Sequence, residues 1–201
     1  MKKKQAPSQR VRVIGGFWRS RLIDIVTQPG LRPSTDRVRE TVFNWLTPYI
    51  NDAKIIDLFA GTGVLGFEAC SRGAQQVVLI EKNHAVFQGL KNNLDKLRPL
   101  PEGSDIQLVC TDAIQWLSAQ HDIEAEIIFL DPPFDQPELV EESLRLIHQR
   151  LKKDTHPIIY VETSAKLDNE AILKHMPQWM MEKQLVAGVV KASILKCLVV
   201  Q

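Results

Sequence analysis

From residue 54 onward, short apolar segments alternate with longer amphipathic ones, and this alternation restricts the possible folds of the chain more than any other feature. The short segments are rich in Ile, Val and Leu, whereas the segments between them repeat apolar residues at helical spacing. Five predicted strands are KIIDLFA, QVVLIE, DIQLVCTD, AEIIFLD and PIIYVET. Strands that alternate with helices predict a doubly wound α/β fold with a mostly parallel sheet.

The end of the chain follows a different pattern. Two strand-like segments, WMMEKQLVAG and VVKASILKCLVV, meet at Gly188 and predict an antiparallel hairpin. Added to the five parallel strands, this hairpin predicts a seven-stranded sheet.

The first 53 residues are predicted to form an extension on the α/β domain at 54–201. Residues 11–14 and 21–26 resemble two short strands joined through Gly15 and Gly16. A helix follows, for which the sequence offers two capping residues and a proline that predicts its end: Ser34, Thr35 and Pro48.

The formal net charge of +1 conceals an asymmetry along the chain. Residues 1–40 carry ten Lys and Arg and three Asp and Glu, whereas the remaining residues carry fifteen and twenty-one. Such a basic segment favours a polyanionic partner. Lys2, Lys3 and Lys4 fit a solubilising tail better than a binding site. The predicted contacts are therefore the arginines Arg10, Arg12, Arg19, Arg21, Arg37 and Arg39.

Composition excludes several classes of protein. No apolar stretch is long enough to span a bilayer, and the basic N-terminus lacks the apolar region of a secretory signal. Cys70, Cys110 and Cys197 lie in apolar contexts, which predicts buried, reduced thiols. The five histidines show no metal-ligand spacing, so no metal site is expected. A cytoplasmic protein is the expectation.

Polar residues follow the predicted strands, at the sheet edge where doubly wound folds bind ligands. Asp57 ends the first strand, and a G-x-G-x-x-G turn at Gly61, Gly63 and Gly66 follows it. Glu81 ends the second strand, where a carboxylate can accept hydrogen bonds from ribose hydroxyls. Asp112 ends the third and could accept from an adenine amino group, cap a helix, or do both. Together these residues predict a nucleoside-like ligand.

The fourth strand ends in FLDPPF, in which Asp131 precedes two prolines and Phe134. Prolines stop strand pairing and hold a turn stiffly. The Asp131 carboxylate and the Pro132 carbonyl can accept both hydrogens of a planar amino group, and Phe134 offers a ring for stacking. This arrangement predicts a site for an exocyclic amino group.

The strand-end motifs occur in the order DLFAGTGVLG, IEKN, TDA and DPPF, and this order resembles that of S-adenosylmethionine-dependent methyltransferases of the Rossmann-like class. DPPF resembles the signature of enzymes that methylate amino nitrogens. RVIGGFWRSR, LRPSTDRVRETVFNWL and IYVE extend the resemblance to the RsmD family of bacterial 16S ribosomal RNA guanine-N2 methyltransferases.

The resemblance implies a fold, a reaction and a set of site residues. It implies a class I methyltransferase domain and transfer of a methyl group to a guanine N2 amino group in 16S rRNA of the assembled small subunit. A monomer is expected, because nothing in the sequence indicates an obligate dimer. The catalytic residues would be Asp131, Pro132, Pro133 and Phe134. The residues that bind S-adenosylmethionine would be Asp57, Phe59, Ala60, Gly61, Gly63, Glu81, Lys82, Asp112 and Ala113.

Two other classes of function stay open. An amino methyltransferase that acts on DNA bases or on a protein glutamine would share DPPF, although glutamine enzymes usually carry Asn at the position of Asp131. An NAD-dependent oxidoreductase or a silent RNA-binding protein would share the glycine-rich turn or the basic segment. Trp18, next to Arg19, is the tryptophan best placed to contact RNA.

Overall fold

The computed structural model describes residues 9–26, 36–174 and 176–198. Its strands are β1 (Arg10–Arg12), β2 (Leu22–Asp24), β3 (Lys54–Asp57), β4 (Gln76–Ile80), β5 (Asp105–Val109), β6 (Ile127–Leu130), β7 (Ile158–Ser164), β8 (Trp179–Ala187) and β9 (Val190–Cys197). Its helices are α1 (Asp36–Ile50), α2 (Val64–Ser71), α3 (His84–Leu97), α4 (Ala113–Ala119), α5 (Glu138–Arg150) and α6 (Asn169–Leu173).

Seven strands form one sheet in the order β5-β4-β3-β6-β7-β9-β8. The first five are parallel, and β9 lies antiparallel between β7 and β8. The predicted mostly parallel sheet and C-terminal hairpin are therefore confirmed. From β3 the chain builds outward to β4 and β5, and then crosses to β6 on the other side of β3. The order thus reverses between β3 and β6, where ligands bind in folds of this type.

The central strands are buried because helices cover both faces of the sheet. All four residues of β6 are buried. Ile127 and Phe129 pack with Phe43 of α1 on one face, and Ile128 and Leu130 pack with α4 and α5 on the other. Burial on both faces explains why this strand is a continuous apolar run rather than an alternating one.

The β1–β2 hairpin packs on α2 and α3 and shares their hydrophobic cluster. Trp18 and Ile23 are fully buried there. At the turn, the backbone N–H groups of Ile14 and Gly15 donate to the Glu68 carboxylate of α2, at 2.6 and 2.8 Å. Arg72 forms an ion pair with the same carboxylate at 2.7 Å. The extension is thus anchored on the α/β core by a buried charge.

Helix α1 extends past the residue that was predicted to end it. Pro48 lies inside α1 rather than at its end, because the helix continues to Ile50, whose side chain is buried in the core. Tertiary packing here outweighs the hydrogen bond that proline cannot donate. The predicted capping residues Ser34 and Thr35, like Lys2 to Lys4, lie outside the described residues.

The predicted burial of the thiols is only partly correct. Cys70 is buried, Cys197 is half-buried, and Cys110 is exposed just after β5. No helix in the described parts of the chain combines the length and apolar character needed to cross a membrane.

Candidate active site

A cleft of about 540 Å³ opens at the carboxyl edge of the sheet, at the point where the strand order reverses. The loops after β3, β4 and β6 form its walls, and Val189 and Val190 of the C-terminal hairpin also contribute. Nine predicted site residues line the cleft: Phe59, Gly61, Glu81, Lys82, Ala113, Asp131, Pro132, Pro133 and Phe134. Four others do not belong to the lining: Asp57, Ala60, Gly63 and Asp112.

The glycine-rich turn depends on the absence of side chains. Gly61 and Gly63 have φ angles of 53° and 87°, in the left-handed region that other residues rarely adopt. A Cβ atom on Gly66 would lie 2.1 Å from Cδ2 of Leu79, so the third glycine allows α2 to pack closely against β4. The turn therefore brings backbone, rather than side chains, to the edge of the cleft.

Glu81 connects two walls of the cleft. Its carboxylate accepts hydrogen bonds from the backbone N–H of Gly61 at 3.0 Å and from that of Asn83 at 2.6 Å. Each carboxylate oxygen can accept a further bond, so Glu81 retains capacity for a ligand. Asn83 in turn caps α3. Glu81 thus orders the loops after β3 and β4 and still faces the cleft.

Asp112 is the N-cap of α4. Its Oδ1 accepts from the backbone N–H groups of Ile114 and Gln115, at 2.9 and 3.2 Å. The neighbouring Ala113 lines the cleft. The capping role that the sequence left open is therefore present, and a role in binding adenine stays a prediction.

Three acidic side chains share one face of the sheet at this edge. Asp57 of β3 is aligned with Phe129, and Phe129 with Tyr160, so the next residues on this face are Asp131, directly after β6, and Glu162 of β7. Burial raises the pKa of Asp57 to about 7, and the charge of Glu81 adds to the increase. Burial also raises the pKa of Asp131 well above its usual range, with contributions from Glu162 and Asp57. The edge therefore concentrates carboxyl groups whose ionised forms a cationic ligand would favour.

The loop after β6 gives the cleft a rigid wall. The carbonyl of Pro133 accepts from the backbone N–H of Gln136 at 3.0 Å and closes a turn before α5. Asp131, Pro132 and Phe134 precede or form this turn, and all three line the cleft. An acceptor carboxylate and an aromatic ring are thus held on one short, proline-stiffened segment.

Glu162 was not among the predicted site residues. It is buried in β7, accepts a hydrogen bond from the Tyr160 hydroxyl at 2.6 Å, and lines the cleft beside Asp131. The signal was present in the sequence, because Glu162 follows the apolar run IIYV much as Glu81 and Asp131 follow theirs.

The predicted RNA-contacting arginines divide into exposed and buried residues. Arg10, Arg12, Arg19 and Arg21, which we call the hairpin arginines, are exposed, as is Arg37. Arg10 and Arg12 form ion pairs at 3.0 Å with Asp24 and Asp36, and Arg21 donates to the carbonyl of Leu97 at 2.7 Å.

Arg39 contradicts its predicted role. It is only 1 % exposed, and its guanidinium donates to Asp36 and to the carbonyl of Arg12. Charge alone had suggested a surface position, but α1 packs this side against the hairpin. Trp18 is also wrong as a stacking candidate, because it is fully buried and its indole N–H donates to the carbonyl of Pro99. The exposed aromatic ring there is Phe17.

Comparison with known proteins agrees with this architecture. Residues 11–196 match the family model described as conserved hypothetical protein 95. The chain is 42 % identical over 182 residues to ribosomal RNA small subunit methyltransferase D of Escherichia coli strain K12, with 90 % of this chain and 87 % of the relative covered. The chain belongs to the ribosomal RNA small subunit methyltransferase D family.

A second relative and a solved structure agree with that assignment. The Haemophilus influenzae protein of the same name is 37 % identical over 193 residues, which cover 94 % of this chain and 96 % of that protein. The solved structure of yhhF from Escherichia coli superimposes with a TM-score of 0.79 at 37 % identity and covers 94 % of this chain and 98 % of its own. Family membership and the strand order identify the fold as that of a class I S-adenosylmethionine-dependent methyltransferase.

Proposed function

We propose that the chain transfers a methyl group from S-adenosylmethionine to the exocyclic N2 amino group of a guanine in 16S rRNA. The observation that carries this proposal is the position of Asp131: its carboxylate lies on a proline-stiffened turn in the wall of the cleft, near the glycine-rich turn. The names of the family relatives support rRNA as the substrate.

The reaction requires hydrogen-bond acceptors from the protein. The lone pair of a guanine amino group is delocalised into the ring, so the nitrogen is a poor nucleophile until its hydrogens are held. The Asp131 carboxylate and the Pro132 carbonyl accept hydrogen bonds from these N–H groups. The nitrogen lone pair is thereby oriented toward the methyl group before the reaction. Phe134 stacks on the extruded base. Asp131 need not act as a base, since the product can lose its proton afterwards.

The residues of the cleft fit S-adenosylmethionine. When bound, this molecule supplies an electrophilic methyl group on a positively charged sulfonium. The acidic side chains of the cleft suit such a cation, which would favour the ionised form of Asp131. Glu81 has capacity for ribose hydroxyls, and the backbone of Gly61 can approach a ligand closely. Apolar side chains such as Phe59 suit an adenine ring. Within the described residues, no group of three or more His, Cys, Asp or Glu is arranged to hold a metal ion.

The hairpin arginines and Arg37 are proposed to bind RNA phosphates. Arg10 and Arg12 form solvent-accessible ion pairs with Asp24 and Asp36, and such pairs are worth little, so phosphates can compete for these two arginines. Phosphate contacts position RNA without reading its sequence. This supports a division of labour in which residues 1–53 position RNA and residues 54–201 carry out the reaction. We further propose an assembled small subunit as substrate, a monomeric enzyme and a cytoplasmic location.

The test is methyl transfer from labelled S-adenosylmethionine to small ribosomal subunits, to purified 16S rRNA and to DNA, followed by nucleoside mass spectrometry. We expect N2-methylguanosine in the RNA, formed faster on subunits than on purified rRNA at equal RNA concentration and salt. Methylated DNA bases or methylated glutamine would instead favour the alternative substrates.

A matched pair of variants tests the role of Asp131. Asp131→Ala should abolish methyl transfer but retain cofactor affinity, because the carboxylate faces the amino group that receives the methyl group and not the cofactor. Asp122→Ala, an exposed position at the opposite edge of the sheet, should behave like the wild type. Normal turnover in Asp131→Ala would contradict the proposed site.

A further inference from the structure

A second recess adjoins the cleft on the other side of the loop after β6. Its volume is about 220 Å³, smaller than pockets that hold drug-sized ligands and suited to a fragment such as a nucleobase. Pro133, Phe134 and Leu167 give it apolar walls, and Glu162 and Thr163 lie at its β7 side. Glu162 lines both the recess and the main cleft.

Strand register places Glu162 beside Asp131. Leu130, the last residue of β6, is aligned with Val161 of β7, so Asp131, which directly follows β6, is a neighbour of Glu162. Adjacent strands lie about 4.8 Å apart, and aligned residues point to the same face. Two carboxylates are therefore held side by side, one on the loop that faces the amino group and one on a strand.

The Glu162 carboxylate is oriented by its neighbour. The Tyr160 hydroxyl, two residues earlier on the same face of β7, donates to Oε2 at 2.6 Å. Both side chains are at most 2 % exposed, which restricts their rotamers. A carboxylate has about four lone-pair positions and can accept several hydrogen bonds at once. A buried, oriented acceptor next to a second acceptor matches a ligand edge with two adjacent donor groups.

We propose that Glu162 reads the N1–H group of the target guanine while Asp131 and Pro132 hold its N2 amino group, an inference that rests on the proposed function. Guanine presents N1–H and N2–H₂ side by side on its Watson–Crick edge. Adenine presents a bare nitrogen at N1, and cytosine presents one at N3. Either base would place an acceptor against the Glu162 carboxylate and leave buried groups unpaired. Glu162 is thus the residue that selects guanine among bases with an exocyclic amino group.

The expected rate difference follows from the strength of hydrogen bonds between side chains and base edges. A well-placed hydrogen-bonding pair discriminates against the wrong base by about ten- to a hundred-fold. Loss of the N1 donor should therefore reduce the single-turnover rate by a similar factor, even when the reacting amino group is unchanged.

The experiment replaces the target guanine by 2-aminopurine, which keeps the 2-amino group but has an acceptor at N1. Once mass spectrometry has located the modified nucleotide, synthetic RNA with either base at that position is ligated into 16S rRNA and assembled into subunits. Single-turnover rates are measured for the wild type, Glu162→Gln and Thr163→Val. Glutamine keeps the volume of glutamate and can still accept from Tyr160, but its amide N–H can donate to the N1 acceptor of 2-aminopurine.

We expect the wild type to prefer guanine by at least tenfold. The preference should fall at least tenfold in Glu162→Gln and stay unchanged in Thr163→Val, because the side chains of consecutive residues on β7 point to opposite faces of the sheet and that of Thr163 points away from Asp131. Any difference in base extrusion between the two RNAs cancels in this ratio of preferences.

Equal wild-type rates on guanine and 2-aminopurine would show that the enzyme does not recognise N1–H. This test uses the wild type alone and so does not depend on the folding of a variant. An unchanged preference in a folded Glu162→Gln would overturn the assignment to Glu162. Both results leave guanine methylation intact. Failure of the wild type to methylate guanine in subunits would instead refute the proposed function.

Discussion

Replacement of Glu68 by Gln tests whether a buried charge anchors the β1–β2 hairpin. The Glu68 side chain is fully buried and accepts three hydrogen bonds, from the backbone N–H groups of Ile14 and Gly15 and from Nε of Arg72 at 2.7 Å. Glutamine keeps the volume but replaces one acceptor oxygen by a donor NH₂. One N–H group of the hairpin or of Arg72 would then face another donor.

The expected cost combines a lost charge-assisted bond with an unpaired buried donor. Breaking a buried ion pair costs about 3–5 kcal/mol, but Arg72 is 18 % exposed and can recover water, so we expect about 2–4 kcal/mol. For a chain of this size, such a loss lowers Tm by roughly 5–15 °C. The affinity for RNA should also fall, because the hairpin arginines are carried on the loosened segment.

Thermal unfolding followed by circular dichroism measures the first effect, and RNA binding at several salt concentrations measures the second. Glu102→Gln, at an exposed position, is the matched control and should change the free energy of unfolding by less than about 0.5 kcal/mol. If the Tm of Glu68→Gln equals that of the control, the buried carboxylate does not anchor the hairpin.

Three further outcomes follow from the described site. Glu81→Ala should weaken S-adenosylmethionine binding by about 1–3 kcal/mol through lost charge-assisted hydrogen bonds, and calorimetry that shows wild-type affinity would remove Glu81 from the site. Changing the hairpin arginines to Ala should make the logarithm of the RNA binding constant less dependent on the logarithm of the salt concentration. The slope should fall by about 0.7–0.9 per lost phosphate contact, and the cofactor affinity should stay unchanged. An unaltered slope would exclude these contacts. The pKa of Asp57 is raised from 3.8 to about 7 in the folded protein, so this group favours folding most when it is protonated. The ligand-free protein should therefore lose up to about 4 kcal/mol of stability from this group as the pH rises from about 4 to about 7. Denaturant unfolding at several pH values should show a smaller decline for Asp57→Asn. A parallel decline in both proteins would show that Asp57 does not titrate in this range.

Local pattern determined most of the architecture. Strands buried on both faces, helices of period 3.6 and a C-terminal pair around Gly188 are properties of neighbouring residues, so they can be recognised without a structure. The chemistry of the cleft was also accessible, because parallel strands end at a common edge. A polar residue at the end of a strand or directly after it, such as Asp57, Glu81 or Asp131, must therefore lie there.

Contacts between distant segments decided the rest. Arg39 looked like a surface cation, but Arg12, 27 residues away, and the neighbouring Asp36 enclose it. Glu68 gave no local signal, since its partners at Ile14 and Gly15 are 54 and 53 residues away. Glu162 follows an apolar run as Glu81 and Asp131 do, but only the register of β6 and β7 shows that it lies beside Asp131. Periodicity identifies which face of an element is apolar, but which segment covers that face depends on packing free energy summed over the whole chain.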